Sequence, residues 1–100
     1  MYAMTGKLTA QPGQRAALVS ILRRAADLVG GMPGCRMYIV SEDAANETAV
    51  HIFEMWDDKA AHDASLVNEE VRALIGQARP ILAGPPEGAE LRVSGGHGMP

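Results

Sequence analysis

Residues 48–56 alternate like a β-strand but are apolar on both faces. Val50, Ile52 and Trp56 share one face with Glu54; Ala49, Phe53 and Met55 share the other with His51. A half-exposed antiparallel strand alternates apolar with polar residues, so this strand needs cover on both sides. Helices of the same chain can cover one face of a small sheet. On the other, Phe53 and Met55 would join apolar residues of neighbouring strands in a patch of the kind that marks an interface. The expectation is a homodimer that packs sheet against sheet.

The rest of the chain supplies the sheet and its helices. Residues 2–10 read as a strand, with Tyr2, Met4, Gly6 and Leu8 on one face. Residues 14–29 read as a helix whose stripe is Leu18, Ile21, Leu22, Ala25, Leu28 and Val29. Gly30 and Gly31 are expected to give it a left-handed cap, and Pro33 prevents its continuation. A second strand covers 35–41, with Cys35, Met37 and Ile39 on one face opposite Arg36, Tyr38 and Val40; a polar hairpin loop covers 42–47, and a short fourth strand 89–94 has Leu91 and Val93 inward.

Residues 58–79 admit two readings. One continuous helix puts Ala60, Ala64, Val67, Val71, Leu74, Ile75 and Ala78 on one stripe and turns His62 outward. A helix broken near Asn68, which can cap a second one, instead buries His62, Ser65 and Leu66 in the first piece and Val71, Leu74, Ile75 and Ala78 in the second. Either way the order is strand, helix, strand, strand, helix, strand. That is the split βαβ arrangement of an α+β, ferredoxin-like sandwich, a single domain over 1–95 with a flexible tail at 96–100.

Several functions are disfavoured. A net charge of −3 leaves no footprint for nucleic acid or anionic lipid. The single Cys35 excludes an internal disulfide and a cysteine-cluster metal site. No apolar run approaches the roughly 20 residues of a membrane span, and the first residues do not read as a signal peptide, so a cytoplasmic location is expected. There is no P-loop, dinucleotide fingerprint or nucleophile elbow. His51, His62 and His97 lack zinc-ligand spacing, and no metal site is expected.

The residues that can carry chemistry cluster after the third strand. Trp56, the only Trp, reads either as core or as the wall of a pocket for a flat ring. His62 reads as a surface histidine or as a proton-transfer group, since an imidazole titrates near neutrality. Glu54 is out of place on a doubly apolar strand; it is a carboxylate tied to a backbone or Arg partner, or a pocket acid. His51 is expected at the dimer interface, and Tyr38 offers a hydroxyl if it faces the pocket.

Pro33-Gly34-Cys35 before the second strand, Glu54-Met55-Trp56 closing the third, and Ala61-His62-Asp63-Ala64-Ser65 after it resemble the antibiotic biosynthesis monooxygenase family, including its quinol monooxygenase-like members. The resemblance spans roughly residues 2–94. It implies a ferredoxin-like chain that dimerises into an α+β barrel, with a pocket between helices and sheet. It also implies a cofactor-independent monooxygenase that oxidises a quinol or polycyclic phenol with dioxygen. In that role His62 would be the catalytic base, and Trp56, Tyr38, Ser65 and Leu66 would bind a small aromatic substrate. The alternative is a non-catalytic protein of the same fold that binds a small ligand. Many members carry a His nine residues after the Trp, where Ser65 stands here. The haem-degrading branch uses an Asn in the first strand; Asn occurs here only at 46 and 68, so haem degradation is not expected.

Overall fold

The computed structural model describes residues 1–99. Strand β1 (Tyr2–Thr9) leads through a turn into helix α1 (Arg15–Val29). Strands β2 (Cys35–Glu42) and β3 (Ala49–Trp56) form a hairpin. Helices α2 (Lys59–Leu66) and α3 (Glu69–Ala78), then a single 3₁₀ turn at Arg79–Ile81, precede strand β4 (Glu87–Arg92). The sheet is antiparallel in the order β2-β3-β1-β4. This is the α+β, ferredoxin-like arrangement expected from the sequence, with the helices on one face.

Pairing across the sheet fixes which residues share that face. Tyr2 lies opposite Trp56, Met4 opposite Glu54, Gly6 opposite Ile52 and Leu8 opposite Val50. Tyr38 lies opposite Glu54 on its other side. Two clusters pack beneath the helices. One gathers Leu18, Ile21, Leu22, Val50 and Ala78; the other gathers Val29, Trp56 and Val71. Trp56, Leu18 and Val50 are the largest side chains removed completely from solvent.

The helical region is broken, not continuous. Asp58 caps α2 by accepting the N–H of Ala61 at 2.8 Å. At Asn68 the backbone leaves the helix (ψ 130°), and its side-chain oxygen accepts the N–H groups of Glu70 and Val71 at 2.9 and 3.1 Å. Two otherwise orphaned donors are thus satisfied, and a new helix starts in a different phase. The first piece turns His62 and Ser65 inward, both buried.

Four expectations need correction. Leu66 is 46% exposed, because it is the last residue of α2, where the helix gives way to the exposed Val67. Strand β4 starts at Glu87, and Leu91 is not inward: it pairs with Ala3 on the helix-free face and is exposed. Helix α1 does not end in a left-handed glycine. Gly30 stays helical (φ −59°), and the left-handed residue is Gly34 (φ 84°). Finally, Cys35 does not share a face with Met37. A bulge at Arg36 shifts the register, so Cys35 pairs with Trp56 while Met37 pairs with Met55. As for the expected tail at 96–100, residues 96–99 hold no helix or strand, and Pro100 lies outside the described residues.

The helix-free face carries cross-strand rows. Met37, Met55, Ala3 and Leu91 form one, and Ile39, Phe53, Thr5 and Ala89 the next. The third holds Ser41, His51, Lys7 and Glu87, with the His51 imidazole 2.7 Å from Asp43. That contact holds the Asp43 carboxyl down at about 2.

Candidate functional site

Between the sheet and the helices lies a cavity of about 550 Å³. Small-molecule sites typically measure about 300–1,000 Å³. Met4, Leu8 and Ile52 rise from the sheet, Ile21, Leu22 and Ala25 come from α1, and Val71, Leu74 and Ala78 from α3. The walls are therefore overwhelmingly apolar. Arg79 and Glu87 also border the space. Towards the end of β3 stand three polar groups: Glu54, Tyr38 and Ser65.

Glu54 reaches this cavity from β3, and its side chain is only 15% exposed. It occupies a strand position whose neighbours on the same face, Ile52 and Trp56, point the same way by period-two alternation. Its Oε1 accepts the indole N–H of Trp56 at 3.1 Å. Burial pushes its carboxyl above the ordinary range; the Trp56 hydrogen bond and the nearby His62 oppose that rise. Tyr38 sits directly across from it. Burial first, and the Glu54 charge second, hold the phenol well above its usual value, so it remains protonated.

Behind Glu54 lies a second layer. The His62 ring stands edge-on to Trp56 (centroids 5.9 Å, 82°) and tilted against Tyr2 (5.1 Å, 47°). Its Nε2 is 4.0 Å from Glu54 Oε1, and its Nδ1 is 3.0 Å from Asp63 Oδ1. Ser65 Oγ donates to the His62 carbonyl at 2.6 Å. The Tyr2 hydroxyl donates to Glu90, which also binds Lys59.

Of the five site residues read from the sequence, Tyr38, Ser65 and Leu66 line the cavity. Trp56 and His62 are not among the lining residues; the first is wholly buried and the second 4% exposed. Both lie behind Glu54, which Trp56 hydrogen-bonds and His62 approaches to 4.0 Å. The sequence weighed Glu54 as either tied or a pocket acid, and it is both: its tie is to the Trp56 indole, not to a backbone or an arginine. Arg79 and Glu87 were missed, because Arg79 sits directly before Pro80 and Glu87 directly after Pro86, where no periodic signal marks a face. Among the described residues, no three His, Cys, Asp or Glu side chains are grouped to hold a metal ion. No described helix is long and apolar enough to cross a membrane.

The antibiotic biosynthesis monooxygenase family matches residues 1–77. A solved structure from Chloroflexus aurantiacus, named as a candidate antibiotic biosynthesis monooxygenase, is 40% identical, with 99% of this chain and 98% of that one covered at a TM-score of 0.87. The chain belongs to the antibiotic biosynthesis monooxygenase family. More distant members of similar name share the fold. One from Deinococcus radiodurans is 23% identical over 99% of this chain and 98% of that one, with a TM-score of 0.87. One from Nitrosomonas europaea is 13% identical over 93% and 89%, with a TM-score of 0.89. No curated protein matches the chain. Within this antibiotic biosynthesis monooxygenase fold, the Glu54–Trp56 pair closes β3 at the edge of the cavity.

Proposed function

We propose that the protein is a cofactor-independent monooxygenase that oxidises a quinol or polycyclic phenol with dioxygen. The observation that carries this reading is a largely desolvated carboxyl group, Glu54, facing a largely apolar cavity large enough for a fused-ring phenol. For a phenol, in the balanced reaction, the ring loses its phenolic proton and one C–H proton. It supplies four electrons to dioxygen, gains one oxygen atom as the second carbonyl, and releases the other as water. The substrate is itself the reductant. The protein's task is to hold the ring, exclude bulk water and accept a proton close to it.

In this reading Glu54 accepts the phenolic proton, Tyr38 donates a hydrogen bond to the substrate oxygen, and Ser65 and Leu66 border the ring. Trp56 orients Glu54, and His62 supports it from behind. The apolar rows of the helix-free face, with Ile39 and Leu91 exposed and Phe53 half-buried, support a homodimer that packs sheet on sheet. Oxygen uptake with a panel of fused-ring phenols and quinols tests the activity. The expected result is one dioxygen consumed per quinone formed, with loss of turnover in Glu54→Gln. A panel left unoxidised, or turnover unchanged in that variant, overturns the reading.

The Trp56–Glu54 hydrogen bond supports a second reading, a small-ligand carrier without turnover. A ligand that engages Glu54 would alter the surroundings of the only indole. Quenching of Trp56 fluorescence by phenols that are bound but never oxidised would favour it.

A further inference from the structure

We infer that Asp63 is a positioning residue: it fixes His62 as the Nδ1–H tautomer, so that Nε2 turns its lone pair towards Glu54 and the two buried groups hold one proton between them. The inference deepens the oxygenase reading and rests on it for its kinetic consequence alone.

An ionised carboxylate can only accept a hydrogen bond. The 3.0 Å contact from Asp63 Oδ1 to His62 Nδ1 therefore places a hydrogen on Nδ1 whatever the charge of the ring. The other nitrogen is left to face Glu54 Oε1 at 4.0 Å. A neutral ring beside an ionised Glu54 would set a lone pair against a buried negative charge. One added proton removes that conflict. On Nε2 it makes an imidazolium between two carboxylates; on Glu54 it makes a carboxyl that can donate towards Nε2. At 4.0 Å the hydrogen bond is not yet formed, and closing it needs a movement of about 1 Å.

The ring has little freedom to escape this arrangement. Tyr2 and Trp56 flank it, and Ser65 holds the backbone carbonyl beneath it. The charged and titratable groups around it are Glu54 from β3, Asp63 and Lys59 from α2, Tyr2 from β1 and, through Lys59 and Tyr2, Glu90 from β4. Lys59 lies 3.5 Å from Asp63 and favours its ionised form.

The oxygenation proposed above releases no net proton, since both substrate protons end in water. What it needs is a group that stores a proton and returns it. With the shared proton on His62, Glu54 is a bare carboxylate. It takes the phenolic proton while the O–H bonding pair stays on the substrate as phenolate. The pair later gives a proton back to the departing oxygen. Only O–H and N–H bonds on the protein form and break.

Nitrogen-15 NMR of the imidazole tests the inference without any substrate. Wild type at neutral pH should show His62 Nδ1 protonated. Asp63→Ala, a substitution on the exposed side of α2, removes the acceptor and should lose that signature and move the carboxyl titration of Glu54. An unprotonated Nδ1 in the wild type, or spectra of His62 and Glu54 unchanged by Asp63→Ala, overturns the inference. With an oxidisable phenol in hand, Asp63→Ala should lower kcat about tenfold or more with KM little changed, and shift the pH profile. If the wild type oxidises no phenol, the oxygenase reading fails, and the tautomer assignment is still decided by the NMR result.

Discussion

Glu54 and Trp56 lie two residues apart on one strand and are joined side chain to side chain by a 3.1 Å hydrogen bond. The indole keeps a desolvated carboxylate oriented without neutralising it, so folding bears the cost of burying a charge. In the folded protein the Glu54 carboxyl titrates above its ordinary value of 4.5. Its folded form binds a proton more tightly than its unfolded form. The stabilising contribution is therefore complete below the unfolded value and is lost as pH rises through the folded one. Glu54→Gln keeps the oxygen that accepts from Trp56 and removes the charge. As pH rises above about 4, urea unfolding should show the variant gaining stability relative to wild type. A difference that does not change with pH would show that Glu54 is not desolvated.

Trp56→Ala should cost about 3–5 kcal/mol, the range for truncating a fully buried large aromatic. Trp56→Phe keeps most of the packing but leaves Glu54 without its donor, at a cost of about 1–3 kcal/mol. Chemical denaturation followed by circular dichroism measures both. Equal losses would assign the whole effect to the hydrogen bond, and no loss in Trp56→Phe would assign it to packing.

Gly34 and Gly13 separate backbone strain from crowding. Both are left-handed, at φ 84° and 80°. A Cβ on Gly13 meets nothing within 4 Å, whereas one on Gly34 would sit 2.7 Å from the Ala61 Cβ. Gly13→Ala should lose about 1–2 kcal/mol from conformation alone. Gly34→Ala should lose clearly more, because α2 must move off the start of β2. Similar midpoints for the two variants in thermal melts would mean α2 yields freely.

Ile39→Asp and Phe53→Asp place charge on the helix-free face, in one cross-strand row. If two copies pack through that face, wild type should sediment as a dimer at micromolar concentration and each variant as a monomer of unchanged helical content. A monomeric wild type rules the pairing out.

The fold was legible in the sequence because its signals are periodic. The stripe of α1 and the alternation of β1 and β3 depend on backbone geometry that each residue helps to state. The broken helix was only half legible. Periodicity over 58–79 fits two phases, and the choice rests on one side chain, Asn68, capturing two N–H groups. The site was legible in kind but not in layering. Its residue types were present in the sequence, but burial decides which of them meets the cavity. Trp56 and Glu54 share a face by parity, yet the larger side chain is sealed beneath α1 and α3 while the smaller reaches open space. Leu91 misled because its strand lies at the sheet edge, where an apolar residue need not face the helices.

The extra residue at Arg36 has a redox consequence. Without that bulge, strand parity would put Cys35 on the same face as Met37 and Ile39. With it, the thiol lies against Trp56 beneath the helices, where burial also raises its pKa and suppresses the thiolate. Two molecules that meet through their sheets would bring no sulfhydryl to the seam. Their association would depend on shape and apolar contact alone, and neither oxidant nor reductant should lock or loosen it.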